Sequence, residues 1–148
     1  ITDQHPLADF GAIGKTSGDD FLTFADSVLR LENGAFLNLG SAVMGPEVYL
    51  KALSMSRNLA QQEGKDIKHF TTAVFDIVPL GDWRHQESIV NYRVPGVLSD
   101  PRYYFRPLKS ILIRTIKDGG ESFYVEGDFD VTVPHFYKQL TEHQGDRE

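Results

Sequence analysis

Apolar residues recur at helical spacing early in the chain. Phe21, Phe24, Ala25, Val28 and Leu29 fall three and four residues apart, which predicts a helix over Thr16–Glu32 with one buried stripe. Ser17 is its expected N-cap, with Asp19 and Asp20 in the first turn, where carboxylates favour the positive end of the helix dipole. Asn33-Gly34 is a stop signal. The run Ala35–Leu39 then reads as a short buried strand. A second helix is expected from near Pro46, whose missing N–H has no intrahelical partner at that position. Val48, Leu50, Ala52, Leu53, Met55, Leu59 and Ala60 give it an apolar surface, and Gly64 ends it. His69–Ile77 is rich in β-branched and aromatic residues and predicts the next strand.

Strand, helix and strand with short connections make a βαβ unit with parallel strands and a right-handed crossover. The preceding helix extends the alternation, so the expected class is α/β: a Rossmann-like three-layer fold with a mostly parallel sheet. Residues 78–107 are less regular, punctuated by Pro79, Gly81, Pro95, Gly96, Pro101 and Pro107. A connection of that length inside a domain is usually functional or interfacial. Beyond it, Ser110–Ile116 reads as a strand, Gly119-Gly120 as a turn and Ser122–Val125 as another strand. Pro134 is expected to open a terminal helix through Phe136, Leu140 and His143, with residues 144–148 fraying.

The length, 148 residues, suits one domain. Hydrophobic residues make up 41% and charged residues 24%, an ordinary globular composition. The formal charge of −6 disfavours a nucleic-acid partner, which needs Lys and Arg to neutralise phosphates, but leaves room for a small basic patch. With no cysteine there is no disulfide, zinc thiolate or thiol nucleophile. No apolar run approaches the roughly 20 residues needed to span a bilayer, so no membrane partner is expected and a cytoplasmic setting is. A polar opening that starts at Ile1 predicts a fragment or a processed chain.

In open α/β sheets, ligands bind beyond the carboxyl ends of strands, where helix N-termini aim backbone N–H groups outward. The turn Gly40–Glu47 is the chain's candidate. Gly40 permits close approach of a ligand and Ser41 adds a hydroxyl; the alternative is that these small residues let helix pack on strand. The segment Gly11-Ala12-Ile13-Gly14-Lys15-Thr16 looks like a phosphate loop, but Asp9 stands where the first glycine belongs. Lys15 remains a candidate for an anionic group, against the simpler reading of a solvated lysine. Asp76, near a strand end, reads either as a ribose-binding acid or, more simply, as a strand-end carboxylate. His5, His69, His85, His135 and His143 lack metal-ligand spacing, and no serine-nucleophile elbow is present. The aromatic and guanidinium run Arg102–Arg106 can stack a base or make a subunit contact; the acidic total favours the contact.

Taken in order, several segments resemble deoxyhypusine synthase and its bacterial relatives. Asp9-Phe10-Gly11-Ala12-Ile13-Gly14 resembles that family's TDGxxGD segment. Residues Phe36 to Ala42 resemble its strand ending in LGGG, and Ala52 through Arg57-Asn58 its helix ending in MRNG. Ala73-Val74-Phe75 resembles the following strand, and Phe123 to Asp128, leading to Val133-Pro134, resembles its VYADASLVFP ending. The resemblance spans nearly the whole chain and corresponds to the carboxyl-terminal half of the family's domain. It implies a homo-oligomer with a Rossmann-like, NAD-binding fold. Gly40 and Asp128 match family positions that contact NAD, and Asp9 matches another if Phe10 is an insertion; Ser41 lies in the same glycine turn.

Departures from the family bear on the reaction. Its Lys-His-His run is replaced by Gly45-Pro46-Glu47. Lys15 stands where the family has a polyamine-holding Asp, and two like charges 4 Å apart repel by about 4 kcal/mol at an effective dielectric of 20. A polyamine held in the same pose is therefore disfavoured. The family's imine-forming lysine has no match closer than Lys109, in a different context. The expectation is a divergent relative that binds NAD or another nucleotide at Gly40–Glu47 without being a true synthase; the alternative is a non-catalytic ligand-binding or assembly module.

Overall fold

The computed structural model describes residues 5–84 and 91–145. Three parallel strands form its sheet, in the order β1 (Ala35–Leu39), β2 (Thr71–Asp76), β3 (Glu121–Glu126). Helices α1 (Phe10–Leu29), α2 (Met44–Gln62) and α3 (Phe129–Gly145) flank the sheet, giving an α/β protein. Among the described residues no helix is long and apolar enough to cross a membrane.

The two faces of the sheet differ. On one, Phe36 of β1, Thr72 and Val74 of β2 and Tyr124 of β3 sit in register. Val74 joins a core with Val28 of α1, Tyr49, Ala52 and Leu53 of α2, and Leu108, Ile111 and Leu112. Phe36 stacks on Tyr49 with ring centroids 3.9 Å apart. The Tyr49 hydroxyl is fully buried near the Thr115 hydroxyl and meets no hydrogen-bond geometry with any described residue. Burial pushes its pKa up to about 12, opposed by the Thr115 hydroxyl and the Arg57 charge. Arg57 ties this layer together: its guanidinium donates to the carbonyls of Ile67 (2.9 Å) and Thr115 (3.0 Å).

On the opposite face, Phe75 packs against Phe136 of α3, ring centroids 5.4 Å apart. A groove of about 400 Å³ runs there between Phe75, Val125 and α3. Among the described residues the rest of this face is only partly covered: Ala73 is buried between its neighbours and Arg84 lies 5.5 Å from the Phe123 ring centroid. Leu37, Leu39 and Phe123 are 38%, 48% and 44% exposed. The second half of α3 leaves Tyr137 and Leu140 exposed as well.

Several expected boundaries move, each for a physical reason. Helix α1 begins at Phe10 rather than Thr16, because Asp9 and not Ser17 caps it: one carboxylate oxygen accepts from Gly11 N (2.9 Å) and Ala12 N (3.1 Å). In α2 the expected apolar surface splits. Ala52, Leu53 and Ala60 are buried, whereas Val48, Met55 and Leu59 are exposed. The expected strand Ser110–Ile116 is instead a π-helix over Leu108–Arg114. Leu108, Ile111, Leu112 and Thr115 are buried at spacings of three and four, a helical pattern that is lost when the window opens at Ser110. Helix α3 begins at Phe129, with Pro134 inside it rather than opening it. Asp128 accounts for that early start, since its carbonyl accepts from Val131 N (3.1 Å) and Thr132 N (2.9 Å). The irregular connection before the π-helix carries two short 3-10 turns, Val97–Ser99 and Pro101–Tyr104. His85 and residues 146–148 lie outside the described residues.

Candidate functional site

The carboxyl ends of the three strands are tied to one another. Gly40 N donates to the Phe75 carbonyl (3.0 Å), and Gly127 N donates to the Asp76 carbonyl (3.1 Å). Asp76 is buried, and its carboxylate accepts from Ile77 N (2.8 Å) and Val78 N (3.3 Å). It therefore turns the chain out of β2, as the strand-end reading of the sequence has it. The Tyr124 hydroxyl donates to the Val78 carbonyl. Burial, with Asp76 and Glu126 nearby, raises its pKa well above the ordinary tyrosine value.

Gly40 adopts φ +66°, in the left-handed region that a side chain disfavours. A Cβ there would lie 2.7 Å from the Phe129 ring. So the close approach that glycine permits is taken up by Phe129 of α3. Ser41 is also engaged within the fold: its Oγ accepts from Gly45 N at 2.7 Å. That N–H, at the start of α2, is one an incoming anion would need. Asn38, 4% exposed, donates from Nδ2 to the Ser41 carbonyl (3.1 Å). Glu47 adds a carboxylate in the first turn of α2 and forms an exposed ion pair with Arg106. Both features work against a pyrophosphate at this helix end.

The structure brings Gly40, Ser41 and the segment at Asp128 to the same edge of the sheet. Asp128 is exposed, and its carboxylate accepts from Asp130 N (3.0 Å), which caps α3. Asp9 caps α1 and Lys15 lies within it. The Asp9 carboxylate is occupied as a cap, and Lys15 pairs with Asp19 one turn along an exposed helix face. Residues 10–20 are exposed apart from half-buried Ile13. Arg102 is clasped by Asp100, whose oxygens lie 2.7–3.2 Å from its nitrogens. That guanidinium is thereby committed inside its own loop. Among the described residues no group of His, Asp and Glu is arranged to hold a metal ion.

Sequence reasoning did not find Phe129 or Asn38. Their roles are set by contacts between segments distant in the chain, which no local pattern signals. Comparison with protein-family models, curated proteins and solved structures finds no match to this chain.

Proposed function

We propose that this chain is a non-catalytic assembly module of Rossmann-like design, which completes its third layer by pairing with a second copy of itself. The observation that carries the reading is the partly exposed apolar strip Leu37, Leu39 and Phe123 on a sheet whose described strands are all parallel. Parallel sheets are covered on both faces, since their strands are apolar on both. The same chain carries an uncovered helix stripe, Tyr137 and Leu140 on α3. A two-fold axis lays each stripe over the other copy's apolar strip, the self-complementary arrangement of a symmetric dimer.

The order of the short motifs supports a kinship with the deoxyhypusine-synthase-like group, without that group's Lys-His pattern, and we take the setting to be cytoplasmic. Sedimentation velocity over a broad concentration range should show a dimer. Leu39→Asp combined with Phe123→Asp should give a monomer of unchanged helical content. A wild-type chain that is monomeric throughout, or a double variant that sediments as wild type does, would overturn the reading.

A second reading keeps a nucleotide site, with NAD as the candidate cofactor, at residues 40–47 and Asp128. Its support is the convergence of Gly40 and the Asp128 segment on the carboxyl edge, where open α/β sheets bind ligands. It requires the Phe129 ring to leave Gly40.

A further inference from the structure

Basic side chains in this acidic protein mostly hold carboxylates: Arg30 pairs with Asp26, Lys68 with Asp66, Arg102 with Asp100 and Arg106 with Glu47. The π-helix breaks this habit. Residues 101–117 carry five Lys and Arg and no Asp or Glu. Within them, Lys109 and Arg114 have no carboxylate partner among the described residues.

Their placement follows from the helix type. At 3.6 residues per turn, positions five apart diverge by about 140°. The i→i+5 turn of a π-helix returns them to neighbouring places on one face. Lys109 and Arg114 are five apart, the second and the last residues of this element, Leu108–Arg114. The intervening Ile111, Leu112 and Ile113 are buried, which leaves the two cations on the outer side. Lys109 is held in place: its Nζ lies 3.1 Å from the centroid of the Tyr103 ring, and that ring packs edge-on against Tyr104. Burial, and then the neighbouring Arg114 charge, keep the Lys109 ammonium below the ordinary lysine value. Two cations on one helical face, with no carboxylate within ion-pair distance among the described residues, are complementary to an anion. Phosphate fits better than a monovalent ion, because it carries up to two charges and its oxygens accept from a guanidinium fork and an ammonium together.

We propose that Lys109 and Arg114, with Tyr103 holding the lysine, form a binding site for a phosphate dianion, either free or esterified on a small molecule. The probe is inorganic phosphate, titrated into the isotopically labelled chain at constant ionic strength and followed by amide shifts. Shifts should concentrate in residues 101–117. Lys109→Gln and Arg114→Gln should each weaken binding by about tenfold or more, as loss of a charge-assisted hydrogen bond does, while Lys109→Arg should keep most of the affinity. Both Gln variants remove one positive charge from the outer face and should fold as wild type does, which far-ultraviolet circular dichroism checks. A parallel titration with a simple alkyl phosphate separates the sources: tighter binding of the ester identifies a small-molecule ligand, and equal or weaker binding identifies free phosphate. Shifts scattered over the whole chain, or Gln variants that bind phosphate as wild type does, would overturn the proposal.

Discussion

Gly40→Ala tests how the carboxyl edge of the sheet is closed. Two costs add at this position. An alanine at φ +66° sits in the left-handed region, at a cost of roughly 1–2 kcal/mol. Its methyl would also lie 2.7 Å from Cε2 and Cζ of Phe129, so the ring must swing away. Phe129 is 38% exposed. Full burial of such a side chain is worth about 1.5–3 kcal/mol, so displacing this partly buried ring costs about 1 kcal/mol. The expected loss is therefore about 2–3 kcal/mol, read from urea denaturation. In a Phe129→Ala background the ring term disappears and only the backbone term remains. A double-mutant cycle should return a coupling of about 1 kcal/mol. Strict additivity would mean that the ring does not rest on Gly40, and the account of the closed turn would fail. The Phe129→Ala chain also decides the nucleotide reading. If a cofactor site lies beneath the ring, NAD titrated calorimetrically should bind this variant more tightly than wild type. No heat from either chain would leave the assembly reading alone.

Two further outcomes are expected. Tyr49→Phe removes a buried hydroxyl that no described residue bonds, so it should stabilise the protein by about 1 kcal/mol, and raise Tm by about 2–4 °C; a Tm lowered by that amount would show that the hydroxyl is bonded, with Thr115 the nearest candidate. Glu32 accepts from Lys68 N (2.6 Å) and His69 N (3.1 Å) and meets His69 Nδ1 at 2.7 Å. These contacts, the Lys68 N–H first, hold its carboxyl below the ordinary 4.5. A depressed carboxyl contributes stability above its unfolded value and loses it as pH falls through the folded one. The urea midpoint should therefore drop as pH falls from about 6 to about 3, and Glu32→Gln should flatten that drop; an unchanged pH profile in the variant would rule out the contribution.

The parallel βαβ unit was legible because each of its elements carries its own periodicity. Asn33-Gly34 and Gly64 stand where helices stop, and the backbone agrees: Asn33 and Gly64 have φ of 59° and 70°. The π-helix was not legible as such. Ile111, Leu112 and Ile113 are consecutive apolar residues, and such a run fits a buried strand as well as a buried helix. The helical clue lay at Leu108, outside the window that began at Ser110. At the candidate turn, no local pattern signals that Ser41 Oγ accepts from Gly45 N or that Phe129 covers Gly40. Small residues at a strand-to-helix turn are equally suited to a ligand and to close packing, and only the distant segment that arrives there decides between them. Asp9 shows the same ambiguity, since a carboxylate before a helix serves a ligand or caps the helix with equal ease.

The absence of cysteine makes the central claim directly measurable. Leu37→Cys places a single thiol on the apolar strip of the sheet, and Ser54→Cys places one on the exposed side of α2 as a control. Labelling by a bulky maleimide should slow at position 37 as protein concentration rises, because a second copy covers it, while position 54 keeps its rate. Equal rates at both positions across all concentrations would contradict the pairing of sheet faces.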